Sequence, residues 1–417
     1  MSTVTSVAGN KRIVWLLTGS LALLMTGYGM VFPVFARRLA ELGSGVDALG
    51  YMAVAFALGQ LIAGPPMGAL ADRIGRRPLI LLALASVVIG NIAFLLADNV
   101  GMFIVARGLV GVLSAGLLPA AMAVVGDIMP SDQRARWTGT LMGGYGVGFI
   151  FGPTLGGVLY DSLGFAMPFL VSAGLGVVGL VLALAWLPET RPVRTALQGL
   201  RTATPGLRGI AALPRPYGIL ITLLVLDFLS VFLFAFVEPQ LAFYLYDTLH
   251  FSTTSFGLIV GAYGLAMVIG QAALGHAADR YGRRLPIAGG LLLLTSFYGG
   301  LVVLTDLGPL LMATLVAGVG GALVGPSLGA AYLDITPEAH RSKVMGLKGS
   351  AAALGGVAGP LLVALASGWI GPQGIFGVSA VLAVIAAAVA FVVLHDSLAP
   401  KEEPGIVAAA VLQAAQS

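Results

Sequence analysis

The chain has 417 residues, of which 58% are hydrophobic and only 10% charged, against roughly 25% charged usage in a soluble domain. That composition excludes an ordinary soluble fold and requires lipid as the solvent. The net charge of +4 would suggest an anionic partner, but the basic residues are spread over six loops and a tail, which excludes nucleic acid.

An apolar run of about 20 residues crosses the hydrocarbon core of a bilayer. In chain order such runs fall at 12–36, 48–71, 78–97, 101–126, 137–160, 166–187, 216–246, 254–278, 286–305, 308–333, 343–368 and 374–395. The last two share a charge-free stretch that is divided at Gly371-Pro372. The expected fold is therefore an all-α membrane protein with 12 transmembrane helices. The first run follows Lys11 and Arg12, has no small-residue cleavage site before Arg37, and reads as a retained span rather than a signal peptide. Alternating the spans from a cytoplasmic N-terminus puts 19 of the 22 Lys and Arg on one side, the exceptions being Arg37, Arg38 and Arg107. This positive-inside bias places both termini in the cytoplasm.

The chain also repeats itself. Gly68-Ala-Leu-Ala-Asp72-Arg73-Ile-Gly75-Arg76-Arg77 recurs as Gly275-His-Ala-Ala-Asp279-Arg280-Tyr-Gly282-Arg283-Arg284, 207 residues later. The same offset links Pro119 to Pro326, Asp127 to Asp334, Arg134 to Arg341 and Gly152-Pro153 to Gly359-Pro360. Two six-helix bundles are thus expected at 1–187 and 215–395, joined by a polar cytoplasmic loop at 188–214 and followed by a short, loose cytoplasmic tail at 396–417.

The repeated GxxxDRxGRR, lying after the second span of each half, resembles the signature loop of the major facilitator superfamily. Within span 5, Gly148-Phe-Ile-Phe-Gly152-Pro153-Thr-Leu-Gly156-Gly157 resembles the GxxxGPxxGG motif of that family's 12-span drug:proton antiporters, and Arg107-Gly-Leu-Val-Gly111 resembles its RxxxG element. The resemblance implies the major facilitator fold, a multi-pass place in the inner (plasma) membrane and a role in multidrug efflux and antibiotic resistance. Two departures stand out. Leu24 occupies the position nine residues before Pro33 where many relatives carry an Asp, and Thr314 stands where the repeat would place a second Arg107.

In the signature loops the glycines allow helices to approach, and the Asp can accept hydrogen bonds from a facing helix N-terminus. The family analogy sets Asp72 near Lys343 and Asp279 near Trp137, with Asp127 and Arg76 or Arg77 completing a charge relay. Gly68, Asp72, Arg73, Gly75, Arg76, Arg77 and Asp127, with Gly275, Asp279, Arg280, Gly282, Arg283, Arg284 and Asp334, form a candidate gating latch. The alternative is that these loops only set topology. Gly148, Gly152, Pro153, Gly156 and Gly157 suit close packing of span 5 against a neighbour, with Pro153 permitting a bend.

Charges inside spans point to chemistry, because a charged side chain at mid-bilayer costs several kcal/mol by most estimates. There are three candidates for proton coupling or substrate contact. Asp227 lies 11 residues into span 7, Glu238 a further 11 residues on and nearly on the same helical face, and Arg107 in span 4. Asp227 leads, as a carboxylate that can take a proton from one side and release it to the other; Arg107 would modulate it or bind an anionic group. A purely structural role for Asp227, and a place in the outer headgroup zone for Glu238, are the competing readings. Tyr28, Met30, Tyr145, Phe228, Phe232, Tyr263 and Met267 are candidate cavity-lining residues suited to lipophilic cations, against the alternative that they face lipid or other helices.

The function expected is secondary active transport: proton-coupled efflux of lipophilic, drug-like compounds by alternating access. The alternative is proton-coupled symport of a small organic solute or anion. The expected partners are a small-molecule substrate, protons and membrane lipids, with the chain a monomer. No cofactor is expected, the proton gradient being the energy source, and no metal, because the four histidines form no cluster. The chain carries no nucleotide-binding motif and no Ser/His or His/Asp constellation for a membrane enzyme.

Overall fold

In a computed structural model of the chain, residues 7–130, 133–190, 217–274, 281–337 and 340–394 are described. The central loop beyond Thr190, the tail, Gly275, Asp279, Arg280 and the side chain of Asp72 therefore lie outside the described residues. Everything described is helix or short connection. The first half holds α1 (Val7–Glu41), α2 (Val46–Ile74), α3 (Arg77–Leu96), α4 (Val100–Ser114), α5 (Leu117–Ile128), α6 (Arg134–Leu163) and α7 (Ala166–Trp186). The second holds α8 (Tyr217–Phe243), a π-helical turn at Tyr244–Thr248, α9 (Thr253–Leu274), α10 (Arg284–Val303), α11 (Leu307–Ile335) and α12 (Arg341–Val393).

Eleven helices among the described residues are long and apolar enough to cross a membrane, with α4 and α5 forming one such segment, Val100–Ile128. The last runs Lys343–Val393, 51 residues, or about 76 Å at 1.5 Å per residue against a hydrocarbon core of about 30 Å. Its helical geometry fails at one residue, Gly371, whose φ of 69° and ψ of 172° lie in a region open only to glycine.

The packing obeys the 207-residue repeat. In the first half α1 packs on α6 and α7, and α4 on α2 and α3; in the second α8 packs on α12, and α11 on α9 and α10. Two further contacts cross between the halves and are themselves repeat-related: α6 on α9, and α12 on α2. The residues with φ in the left-handed region fall into pairs at the same offset: Gly43 with His250, Gly75 with Gly282, and Gly164, which ends α6, with Gly371.

His250 is the member of these pairs that carries a side chain, held at φ 55° just before α9. The left-handed region costs a side-chain-bearing residue about 1–2 kcal/mol relative to glycine. His250→Gly is therefore expected to raise the thermal unfolding midpoint of the detergent-solubilised protein, by about 1 kcal/mol of stability; an unchanged or lower midpoint would contradict this account of the turn.

Candidate functional site

α8 carries both interior carboxylates. It stays regular through Pro239 to Phe243, so Asp227 and Glu238 do lie 11 residues apart on one unbroken helix. Their surroundings differ. Asp227 is buried, and its Oδ1 lies 3.3 Å from the Lys348 ammonium on α12. Its Oδ2 has no hydrogen-bond partner among the described residues, and neither does the fully buried hydroxyl of the adjoining Tyr332 on α11.

Glu238 lines an apolar cavity and makes no hydrogen bond or ion pair with a described residue. Phe234, Val237 and Leu241 of α8, Ile259, Val260 and Tyr263 of α9, Leu294, Phe297 and Tyr298 of α10 and Phe32 of α1 wall it with apolar and aromatic surface. Thr314 completes the wall at the position where the first half has Arg107. A carboxylate facing rings in an apolar cavity is chemistry for a lipophilic cation, which gains from both the charge and the aromatic faces.

Arg107 carries the counter-charge that interacts electrostatically with Glu238. Its guanidinium lies 4.4 Å from the centroid of Phe56 and 5.3 Å from that of Phe35. Phe56 is the repeat partner of Tyr263, so each half presents an aromatic ring beside the same register position.

The structure distributes the other candidate residues unevenly. Tyr263 lines the cavity. Tyr28 pairs with Ser86 at 3.2 Å and packs edge-on to Phe56 near Arg107. The rings of Phe228, Phe232 and Phe236 stack in series at 5.6 and 5.4 Å along α8, and the backbone of the same residues meets the glycines Gly355 and Gly359 of α12. Met30 lies in the α1–α6 contact, Met267 packs against α11 at Gly318 and Gly321, and Tyr145 is exposed.

The GxxxGPxxGG segment packs on two neighbours at once. A Cβ at Gly152 would meet the Thr26 carbonyl at 2.7 Å, and side chains at Gly148 and Gly156 would also run into α1. Gly157 instead faces the backbone of Thr253 and Thr254 in the other half, and Gly257 returns the contact on the Pro153 carbonyl.

At the signature-loop end the two halves repeat their ion pairs. Arg76 binds Asp127 at 3.2 Å, and Arg283 binds Asp334 at 2.8 Å. Arg77 donates to the Leu184 carbonyl, and Arg284 lies over the ring of Phe391, the repeat partner of Leu184. The Glu189 carboxylate accepts from the backbone N–H groups of Arg76 and Arg77 at 3.0 and 3.1 Å, capping α3, while Thr190 donates to Asp127. Gly75 makes room for that cap, since a Cβ there would strike the Glu189 carboxylate.

At the opposite end, hydrogen bonds join the halves directly. Asp161 of α6 accepts from the Thr253 and Thr254 N–H groups at 3.3 and 2.7 Å and from the Thr254 hydroxyl at 2.6 Å, capping α9 across the interface. Arg37 donates to the Phe251 carbonyl at 2.9 Å and lies 3.9 Å from the Tyr246 ring centroid, and Tyr246 donates to the Pro33 carbonyl. The π-helical turn after α8 carries Tyr246 into this contact. Arg37 broke the positive-inside pattern in the sequence; here it has a partner in the other half.

Sequence reasoning missed Lys348 and Asp161. Lys348 is only eight residues into α12 and counts as one more basic residue of an inner segment. The partners of Asp161 lie 92 and 93 residues away, beyond the reach of any local motif.

Two repeat-related helical bundles, packed across one interface and holding charges within their spans, have the architecture of a membrane transporter. A model of the Major Facilitator Superfamily matches residues 17–245 and 220–414. The chain belongs to that superfamily and is a multi-pass protein of the plasma membrane. It is 25% identical over 355 residues to the quinolone resistance protein NorA of Staphylococcus aureus (strain COL), covering 85% of this chain and 89% of the relative. It is 27% identical over 356 residues to multidrug resistance protein 1 of Bacillus subtilis (strain 168), with the same coverages. Both relatives fall in the drug-resistance branch to which the span 5 motif pointed. Among solved structures, the human organic anion transporter MFSD10 superposes with a TM-score of 0.67 at 23% identity, over 91% of this chain and 99% of that one, a likeness of fold alone.

Proposed function

We propose that this protein exports lipophilic, drug-like monocations in exchange for protons, by alternating access. The observation that carries this reading is Glu238, a carboxylate without a hydrogen-bond or ion-pair partner among the described residues, facing a cavity walled by aromatic and aliphatic side chains. Proton and substrate compete for that carboxylate, so the arrival of one releases the other, and the exchange needs no cofactor beyond the proton gradient. The positive charge of Arg107, which interacts with Glu238, works against either cation that binds there. Export of drugs is what the names of the relatives describe, and it supports this direction of transport.

In this reading the segment Lys343–Val393 crosses the membrane twice, turning at Gly371 as α6 and α7 turn at Gly164, which makes twelve crossings and leaves both termini in the cytoplasm. The chain works as a monomer. The Arg76–Asp127 and Arg283–Asp334 pairs each hold a cytoplasmic signature loop within its own half, while Asp161 and Arg37 join the halves and close the outer side. The conformation described is one with the outer side shut.

Asp161→Ala removes the cap on α9 and is expected to shift the population towards outward-open forms. Cysteines introduced near Phe251 would then react faster with a membrane-impermeant thiol reagent added outside; unchanged labelling would contradict the outer latch. The transport reading itself is tested in inverted vesicles loaded with a pH dye and given an inward-acid gradient. Addition of lipophilic cations is expected to dissipate the gradient, and sugars and organic acids to leave it intact. Dissipation by organic anions alone would overturn the cation reading.

A further inference from the structure

Four charged side chains lie inside the described spans away from their ends: Arg107, Asp227, Glu238 and, five residues past the start of its span, Lys348. They divide into two couples of opposite charge, Arg107 with Glu238 and Asp227 with Lys348, so their formal charges cancel. The first couple is open to a ligand; the second is filled. The Lys348 ammonium already stands where a substrate's positive charge would sit on Asp227, at 3.3 Å from Oδ1, while Oδ2 is buried with no hydrogen-bond partner among the described residues.

The repeat shows that this couple is an addition and not a packing requirement. α8 and α12 are held together by Gly355 and Gly359, repeat partners of Gly148 and Gly152, which hold α1 to α6 in the same way. At the positions matching Asp227 and Lys348 the first half has Ser20 and Leu141, both buried. That half packs its pair of helices without a charge, so the buried carboxylate of Asp227 and the half-buried Lys348 beside it in the second half require another explanation.

We propose that Lys348 is a specificity-determining residue: a tethered internal cation that occupies a second carboxylate station on α8, so that the path accepts substrates bearing one positive charge. This rests on the cation reading given above. Asp227 and Glu238 lie 11 residues apart, about 16 Å along the helix axis, a spacing that a long dication could bridge if Asp227 were free. Removing the lysine charge leaves the path one negative charge in excess; removing the aspartate charge leaves it one positive charge in excess.

The test is equilibrium binding to the purified full-length protein of two probes. One is tetraphenylphosphonium; the other is a bis-triphenylphosphonium joined by a decamethylene chain. Lys348→Gln is expected to bind the dication about tenfold more tightly than wild type, with the monocation little changed. Lys348→Arg should keep the wild-type preference, and Asp227→Asn/Lys348→Gln should lose the gain. Asp227→Asn alone leaves Lys348 unpaired and is expected to weaken monocation binding about tenfold, with recovery in the double variant, an arm that survives if Lys348→Gln does not fold. Unchanged dication affinity in a folded Lys348→Gln protein would overturn the proposal while leaving the cation reading in place, as would an Asp227→Asn variant that binds the monocation like wild type. A wild-type protein that binds neither probe would overturn the cation reading and this proposal together.

Discussion

Glu238→Gln is expected to abolish gradient-driven export of lipophilic cations, lowering the rate about a hundredfold or more, while the protein folds and reaches the membrane. Glutamine keeps the volume and the apolar walls of the cavity but can neither hold a proton nor offer a charge. Interactions with a charged partner contribute roughly 1.5–3 kcal/mol, and 2.8 kcal/mol is a factor of one hundred. The walls remain, so weak binding of the probe cation persists while the link to the proton gradient is lost. Glu238→Asp retains the carboxylate but draws it back from the rings, and should keep coupling at reduced affinity. Measurement of pH-gradient-driven tetraphenylphosphonium movement in vesicles separates these outcomes. Wild-type rates in Glu238→Gln would place the exchanging carboxylate elsewhere, with Asp227 the next residue to test.

The span 5 glycines provide the second large effect, and it divides by neighbour. Gly156 packs against the backbone of Met30 in α1, within one half, so a Cβ there forces α1 and α6 apart. Overpacking costs typically about 1–3 kcal/mol, and backbone has less freedom to yield than a side chain. Gly156→Ala should therefore lower the unfolding midpoint and the yield of folded protein. Gly157, one residue on, faces Thr253 and Thr254 across the interface between halves. Gly157→Ala should leave each half intact but disfavour the state with the outer side shut, increasing outside labelling much as Asp161→Ala does. Thermal unfolding and thiol accessibility, measured on both variants, distinguish the two roles. Equal loss of stability in both would mean that the motif serves packing alone.

The architecture was legible because it is written twice. The offset of 207 residues predicts which helices pair, where the backbone turns at Gly164 and Gly371, and that Arg76–Asp127 should recur as Arg283–Asp334. The interior charges Arg107, Asp227 and Glu238 were also visible, since any charge in an apolar span stands out. Their ranking was not. Asp227 sits deeper and reads as the stronger candidate, but a lysine more than a hundred residues away fills one of its oxygens, whereas Glu238 faces a cavity built by four helices of one half and Phe32 of the other. The asymmetric contacts, Asp161 on α9 and Arg37 on Tyr246, depend on how the halves meet, and no repeat register encodes that. His250 hides the other way: it is the partner of Gly43 in backbone geometry but not in residue type.

The central claim is one-for-one competition of a proton and a lipophilic cation in a path gated from both sides. It is tested most directly in proteoliposomes containing the purified protein and an entrapped pH dye. With no pH gradient imposed, a gradient of tetraphenylphosphonium directed out of the lumen should drive protons in, acidifying the lumen, and Glu238→Gln should abolish the signal. Movement of the cation without any proton movement, or proton movement in the same direction as the cation, would contradict the account.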